Sequence, residues 1–473
     1  MSSIDTHPTQ TVASLRSRII GIDQKVPLLD GSEQVYIYLD NAASTPSLRS
    51  AKEKVNELLQ YYSSIHRGAG YKSLISTQAY ERARELIIKF VGADSEKDVA
   101  IFGKNTTEAT NILADSIDWK DGDVVLITLM EHHSNDLPWR KHATVEHFPV
   151  QPDGFFDLNA FEDILKSFKG RVRLVATTGA SNVTGIIPPF YEIAKLAHQY
   201  NAMILVDCAQ LAPHRPIDMR PHDSLDHLDF ICLSAHKMYA PFGTGVLVGS
   251  KMFFDAAQPV FRGGGVIEIV TLDEVYWAKA PDKYEAGSPN VLGAVALGAS
   301  IRELMAVGMQ AIADHEKELT HYALTRLNQI AGVRLYGSRD PNRLGDRVGV
   351  IPFAIEGIQH GKVAAILSFE GGIGVRNGCF CAHPYLISLL NISQQEFAHF
   401  KQQVLQGDRR QQPGMVRASF GCYTNQEEID HLITWIERII SGDYRGDYVQ
   451  DKSSGSFFPR QFDPATLEKF FTL

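Results

Sequence analysis

The sequence predicts an α/β protein built on a mostly parallel sheet, and two observations carry this prediction. Short apolar runs of strand length alternate along the chain with longer segments of helical spacing. Most of these runs end in a cluster of polar residues, as expected where parallel strands present their carboxyl ends at one edge of a sheet. Helices cover both faces of such a sheet. A ligand site at that edge is therefore expected.

Strands and helices are predicted to alternate in the first part of the chain. Residues 1–34 form a polar leader, which we expect to pack on a small domain. A large domain is predicted over residues 35–297. Its strands are expected at 35–39, 100–102, 123–129, 171–177, 202–206 and 230–233, and its helices at 50–62, 77–91, about 106–117 and 188–200.

The pattern changes after about Leu297, where a smaller α+β domain is predicted over residues 298–443. It opens with a long helical stretch, 297–330, in which Gly308 is a candidate break. Short strands and helices follow at 348–355, 362–369, 373–376, 415–420 and 425–440. A capping box formed by Thr424 and Glu427, or by Asn425 and Glu428, starts the last helix. Residues 444–473 form an extension whose order the sequence does not define.

Composition limits the classes of function. The chain has 473 residues, 44% of them apolar, and a net charge of −9, so more than one core is expected and nucleic acid is not an expected partner. No apolar run approaches the roughly 20 residues of a membrane span, and the N-terminus lacks a secretory signal. The five cysteines are scattered and odd in number, which favours a reducing cytoplasm over disulfides. A lone C-x-C motif is a poor zinc signature, so no metal is predicted.

Lys237 is the leading candidate for catalysis. It follows the predicted strand 230–233, and a single lysine there is most often a solvated surface residue. Its neighbours Ser234 and His236, however, both carry donors for a phosphate group. An amine that forms a Schiff base is the anchor that pyridoxal phosphate chemistry needs.

Other strand ends supply groups that suit the same cofactor. Asp207 can pair with a pyridine nitrogen, while Gln210 and Asn182 can bond a ring oxygen. His132 can stack on the ring. Taken singly, each has an ordinary explanation, such as a helix cap, but together they favour a cofactor site. The phosphate donors would be Thr106, Thr107, Ser234 and His236, the first two at a helix N-terminus.

At this point six motifs resemble one family, the class V aminotransferase superfamily. Within it, the chain is most similar to cysteine desulfurases of the selenocysteine-lyase-like group, over about residues 35–440. This resemblance implies fold type I of pyridoxal phosphate enzymes: a large domain with a seven-stranded type of sheet, a small domain, and a homodimer. The motifs are Tyr38-Leu39-Asp40-Asn41-Ala42-Ala43, Glu131-His132-His133, Ser181-Asn182-Val183, Val206-Asp207-Cys208-Ala209-Gln210, Ser234-Ala235-His236-Lys237 and Arg417-Ala418-Ser419.

The resemblance also implies a role for each site residue. Lys237 is the Schiff-base lysine, Asp207 pairs the pyridine nitrogen, and His132 stacks on the ring and is catalytic. Gln210 and Asn182 bracket the ring oxygen and the substrate. Ser288, in Gly287-Ser288-Pro289, is implied to reach the phosphate of the partner subunit, and Arg417 to bind the substrate carboxylate. Asn182 and Arg376 are also expected to bind the substrate.

Cys381 takes the position of the desulfurase nucleophile. The family motif R-x-G-x-x-C-A-x-P matches Arg376, Gly378, Cys381, Ala382 and Pro384. The resemblance implies that L-cysteine, or a related small thiol amino acid, is converted to alanine. Its sulfur would remain on Cys381 as a persulfide for a sulfur-acceptor protein. Arg376 and His383 are expected to favour the thiolate.

Cys379 departs from the family motif. The run G-C-F-C is similar to that of molybdenum cofactor sulfurases, which carry an extra domain for which this length leaves no room. Cys379 and Cys381 could relay a persulfide or close to a disulfide. Alternatives to a desulfurase are another class V enzyme (a C–S lyase, epimerase or aminotransferase-like enzyme) in which Cys381 is incidental, or a binding protein that kept the fold. A Rossmann dehydrogenase is not favoured, because the glycine cluster 263–265 does not form its fingerprint.

Overall fold

The large sheet has seven strands and confirms the prediction of a mostly parallel α/β fold. The computed structural model describes residues 11–66, 68–151 and 153–472. The strand order is β1-β7-β6-β5-β4-β2-β3, and only β7 runs antiparallel to its neighbours. The strands are Asp98–Gly103 (β1), Val124–Thr128 (β2), Thr144–Phe148 (β3), Val172–Thr178 (β4), Met203–Asp207 (β5), Phe230–Ser234 (β6) and Gly245–Ser250 (β7).

The sheet is buried on both faces. In β2, Val124 and Leu126 join the apolar core on one face, and Val125 and Ile127 join the core on the other. The two strands that the sequence did not predict, β3 and β7, have weaker patterns. Only the last residue of β3 is buried, and two of the six residues of β7, Gly245 and Gly249, are glycines, which are uncommon in strands.

Helices cover the two faces and build the second half of the molecule. Helix Thr106–Ser116 is capped by Asn105, whose side chain accepts a bond from Glu108 N. Of the two capping boxes considered for the last long helix, the one formed by Asn425 and Glu428 is present. The α-helices are Val12–Leu15, Arg49–Leu59, Tyr71–Phe90, Thr106–Ser116, Leu158–Ser167, Phe190–Gln199, Lys251–Ala256, Val291–Val307, Met309–Leu327, His360–Phe369, His383–Leu390, Gln394–Leu405 and Gln426–Ser441.

The candidate break at Gly308 is confirmed. Gly308 has φ +95°, a conformation that favours glycine, and the helices on either side meet at 75°. Among the described residues no single helix is long and apolar enough to cross a membrane. The bent pair Val291–Val307 and Met309–Leu327 has the length and composition of a membrane span, and only these two properties point that way.

A four-stranded antiparallel sheet organises the second half, in the order β8-β9-β11-β10. Its core includes Leu324, Phe353, Ile366, Val416 and Ile436, which come from strands and from three helices. The strands are Val333–Leu335 (β8), Val350–Ile355 (β9), Arg376–Gly378 (β10) and Met415–Ser419 (β11).

Both ends of the described chain contact this second half. Leu29 N donates to Phe369 O at 2.8 Å. The C-terminal extension, of uncertain order from the sequence, forms a hairpin of Tyr448–Gln450 and Phe457–Pro459, and Tyr448 Oη donates to Glu370 at 2.9 Å. The limits of the predicted domains, and the packing of the leader on the small domain, stay predictions. Residues 1–10 of the leader lie outside the described part of the chain.

Candidate active site

A cleft of about 250 Å³ opens at the carboxyl ends of β4, β5 and β6. It brings together residues that the sequence placed on separate strand ends and loops, including some from the second half of the chain. The predicted residues that line it are Thr106, Thr107, His132, Asn182, Asp207, Gln210, Ser234, His236, Lys237, Arg376, Cys381 and Arg417. Ser288 is the exception, because it lies in a different cleft beside His66 and Gly265.

Lys237 ends the short 3-10 turn Ala235–Lys237 that follows β6. Burial lowers the pKa of its amine to about 8; Asp207 opposes this shift, and Arg417 adds to it. A fraction of the amine is therefore uncharged near neutral pH, and only the uncharged amine can attack a carbonyl carbon. The amine of Lys237 is therefore suited to act as a nucleophile.

Asp207 lies at the end of β5, between its register partners Thr178 on β4 and Cys232 on β6. Its Oδ1 accepts a bond from Ala209 N at 2.9 Å. Burial raises the pKa of its carboxyl group, and the charge of Lys237 acts in the opposite direction. A cationic partner inside the cleft would stabilise the ionised form of this buried carboxyl group.

His132 has a defined tautomer. Its Nδ1 accepts a bond from Ser134 N at 3.1 Å, so the proton of the neutral ring is on Nε2. Burial, together with the nearby positive charge of Lys237, lowers the pKa of the imidazole to about 3. Ser134 was missed from the sequence although it follows His132 by two positions; its Oγ lies 2.7 Å from Thr107 Oγ1 and so joins His132 to the phosphate donors.

Gln210 has one amide atom without a partner. Its Nε2 lies 3.4 Å from His214 Nε2, and His214 Nδ1 lies 2.9 Å from Glu316 Oε1. Glu316 Oε1 accepts from His214 Nδ1, so the amide nitrogen of Gln210 is the donor to His214 Nε2. Gln210 itself lines the cleft. Its amide oxygen, Oε1, is buried and has no partner among the described residues. It can accept a hydrogen bond from a ring hydroxyl group of a ligand.

The predicted phosphate donors lie at the start of helix Thr106–Ser116. Thr106 N donates to Ser234 Oγ at 2.9 Å, so Ser234 also orders the helix start. Gly245 lets this start approach β7, since a Cβ there would lie 2.4 Å from Asn105 Cα. Burial lowers the pKa of His236 to about 4, which keeps that imidazole neutral. The cradle is therefore made of neutral donors.

Arg417, on β11, is buried at the other side of the cleft. Its Nη2 donates to Asp40 Oδ1 at 3.0 Å and its Nη1 to Asn182 O at 2.8 Å, while Nε has no partner among the described residues. Arg376 lies 3.8 Å from the other oxygen of Asp40. No role was predicted for Asp40 from the sequence. It appeared there only as a member of the motif Tyr38-Leu39-Asp40-Asn41-Ala42-Ala43, directly after the predicted strand 35–39.

Cys381 lies in a tight turn that closes the cleft. Ala382 N donates to Cys379 O at 3.1 Å, and Phe380 and Cys381 both have left-handed φ values, +53° and +55°. The large sheet's loops hold this turn, because Asn182 Nδ2 donates to Phe380 O at 2.7 Å and His133 N to Cys381 O at 2.8 Å. Such strained residues persist only where their surroundings hold them, and they concentrate at functional sites.

The two cysteines of the turn differ in environment. Cys381 is exposed, whereas Cys379 is buried, and burial raises the pKa of the Cys379 thiol. Its Sγ donates to Pro413 O at 3.2 Å. No group of three or more metal-ligating side chains occurs among the described residues.

Comparisons with known proteins agree with this geometry. The sequence profile of the aminotransferase class-V family matches residues 37–432. A probable cysteine desulfurase from Halalkalibacterium halodurans is 36% identical over 88% of this chain and 95% of its own length. A cysteine desulfurase from Escherichia coli is 34% identical over 85% of this chain and 93% of its own length.

Solved structures show the same similarity. The apo structure of a cysteine desulfurase from Thermococcus onnurineus aligns with a TM-score of 0.76 at 32% identity, over 86% of this chain and 95% of that one. The S-sulfonic acid form of the cysteine desulfurase CsdA from Escherichia coli aligns with a TM-score of 0.75 at 27% identity, over 91% and 99%.

Proposed function

Because the chain belongs to the aminotransferase class-V family, we propose that it is a pyridoxal phosphate-dependent cysteine desulfurase. It would convert L-cysteine to L-alanine and retain the sulfur on Cys381 as a persulfide. The observation that carries this proposal is that one cleft contains both Lys237, an amine with a lowered pKa, and Cys381, an exposed thiol. Relatives named cysteine desulfurases support the same activity.

The residues present fit the cofactor. The buried Oε1 of Gln210 lacks a partner among the described residues, and a ring hydroxyl group would supply one. Asp207 would meet the ring nitrogen, Lys237 the aldehyde, and Thr106 and Thr107 the phosphate. When bound, pyridoxal phosphate supplies an electron sink that weakens bonds of the amino acid held on it.

The protein's own residues would position the substrate and move protons. Arg417 offers its unpaired Nε to a carboxylate, and Arg376 adds a second positive charge at the mouth of the cleft. Lys237 and neutral His132 are the groups placed to accept and return protons. Cys381 would attack the sulfur of cysteine: the new S–S bond forms, the C–S bond breaks, and its electron pair takes a proton to give alanine.

Replacement of Cys381 by serine tests the reaction. Cys381→Ser should keep the cofactor's visible absorbance but lose protein-bound sulfur and reduce alanine formation by about two orders of magnitude or more. Cys422→Ser is the control, because that thiol is buried outside the cleft and should leave sulfur transfer intact. Unchanged release of sulfide from cysteine by Cys381→Ser would contradict the proposal and favour a C–S lyase.

A second copy of the chain is the expected partner. The hairpin of Ile267–Val270 and Val275–Trp277 leaves Leu272 and Ile269 exposed, and Ser288 lies close to it, away from its own Lys237 cleft. A homodimer would cover the apolar hairpin and bring Ser288 to the partner's phosphate. A sulfur-acceptor protein would be the second partner. The five free cysteines favour a reducing cytoplasmic location.

A further inference from the structure

A second cleft, of about 520 Å³, lies beside the turn that contains Cys379 and Cys381. Arg376 lines both clefts, so strand β10 separates them. Cys381 lines the first cleft and Cys379 the second. The two thiols of one turn are therefore presented to two different cavities.

The C-terminal extension builds one wall of this second cleft. Gln450 Nε2 donates to Arg410 O at 2.9 Å and to Gly455 O at 3.0 Å. Arg409 N donates to Lys452 O at 2.9 Å and Arg409 Nη1 to Ser453 O at 3.0 Å. The extension lies beyond residues 37–432, which match the family, so this wall is a feature that the family match does not cover.

The lining of the second cleft is cationic. It includes Arg376, Arg409 and Arg410 and no aspartate or glutamate among the described residues. Arg410 is paired with Asp408 at 2.7 Å, but Arg409 has no carboxylate partner within the described chain. Arg376 shares Asp40 with Arg417. A surplus of positive charge thus faces a cavity of the size that holds a small molecule.

We propose that Cys379 receives the sulfur from Cys381 and passes it to a small anionic thiol bound in the second cleft. This inference rests on the proposed function, because Cys381 must first carry a persulfide. The ligand class is a thiol that bears carboxylate groups, which the arginines would hold next to Cys379 Sγ.

Both transfer steps are balanced thiol exchanges. The Cys379 thiolate attacks the outer sulfur of the Cys381 persulfide; a new S–S bond forms on Cys379, and Cys381 leaves as a thiolate. The thiolate of the bound ligand then attacks the outer sulfur on Cys379 and leaves with it as a persulfide. The proton that each attacking thiol loses is taken up by the thiolate that it releases. No external oxidant or reductant enters either step.

The positions of the two thiols suit this order. Cys381 is exposed in the first cleft, where cysteine would bind. Cys379 is buried against Pro413 O, and Gln412 Nε2 lies 3.4 Å from its sulfur. Cys379 is thus shielded from the first substrate and has an N–H donor for a developing thiolate. Only Phe380 separates the two cysteines in sequence, and a local rearrangement of this left-handed turn would bring their sulfurs together for the transfer.

Peptide mass spectrometry after incubation with cysteine tests the transfer. With no acceptor, the wild type should carry extra sulfur on both Cys381 and Cys379, and Cys379→Ser should carry it on Cys381 alone. If Cys381 acquires sulfur but Cys379 never does, this inference fails while the proposed function stands. If neither cysteine acquires sulfur, both fail. Cys379→Ala, run in parallel, guards against an effect of the serine hydroxyl.

Steady-state transfer tests the acceptor. Glutathione, an anionic thiol, should saturate the wild type, and cysteamine, a cationic thiol, should react at least about tenfold less efficiently. Arg409→Gln should raise the KM for glutathione about threefold to fivefold, as expected for one exposed charge. Arg460→Gln is the matched control on the same extension, because Arg460 pairs with Asp447 outside the cleft. Equal use of the two thiols, or wild-type transfer by Cys379→Ser, would overturn the inference.

Discussion

Arg417 shows how a single residue can be buried and still serve a ligand. Two of its nitrogens bond Asp40 and the backbone of Asn182, and its guanidinium lies 4.8 Å from the centre of the Phe380 ring. These contacts fix the plane of the guanidinium. Burial lowers its pKa, and Asp40 counters the shift, so the pair keeps the arginine charged. A rigid, charged fork with one unpaired donor suits a carboxylate.

Replacing Arg417 with lysine should therefore weaken substrate binding more than chemistry. Arg417→Lys keeps the charge but loses the fork, so we expect the KM for cysteine to rise by one to two orders of magnitude, with a smaller fall in kcat. Steady-state alanine formation measures both constants. Arg438→Lys, at a surface pair with Asp443, should leave both unchanged. A lower kcat at constant KM would show that Arg417 does not bind the carboxylate.

At this scale the sequence was informative about residues with distinctive chemistry. Asp207 and Lys237 could be predicted because Asp207 ends one apolar strand and Lys237 follows another by three positions. Asp40 and Ser134 could not be given roles, because their partners Arg417 and Thr107 are distant in sequence. Only the fold brings such pairs together.

Among the elements, helix Gln426–Ser441 depends on its first turn. Asn425 Oδ1 accepts from Glu428 N at 3.0 Å, and Glu428 Oε2 accepts from Asn425 N at 3.2 Å. The helix buries Ile429, Ile433 and Ile436 in the core of the second half. Fraying of its first turn would therefore expose core residues.

Asn425→Ala should lower the free energy of unfolding by about 1 kcal/mol. The loss should appear as a lower denaturant midpoint for unfolding of the second half. The matched comparison is Ser393→Ala, which removes the cap of helix Gln394–Leu405. That helix buries none of its residues, so its fraying should barely move the midpoint. Equal shifts for the two variants would contradict this account.

Most helices with a clear apolar stripe were predicted from the sequence, although helix Leu158–Ser167, which buries Phe161 and Leu165 one turn apart, was not. Elements defined mainly by pairing were also not predicted. Strand β7 is held between β1 and β6, so it is specified by its neighbours more than by its own pattern. The extension hairpin likewise depends on contacts with Glu370 and Arg409, which no local pattern reveals.

In the whole molecule, the site exists because two halves meet. The large sheet supplies Lys237, Asp207 and His132, while β10, β11 and the turn between Cys379 and Ala382 supply the arginines and the thiol. Asn182 Nδ2 and His133 N bind the turn across this boundary. The sequence predicted the two parts, but not that the turn would separate a second cleft from the first.

The central claim is that the fold selects Lys237 as the cofactor-bearing amine. Borohydride reduction of the native protein with pyridoxal phosphate, followed by peptide mapping, tests it most directly. Lys283 is the internal comparison, since it is also buried but donates to Asp255 O and Ala257 O at 2.7 Å each. We expect the reduced cofactor on Lys237 in the native protein and no selectivity after unfolding. A native label on Lys283 or on surface lysines, with Lys237 unmodified, would contradict the account.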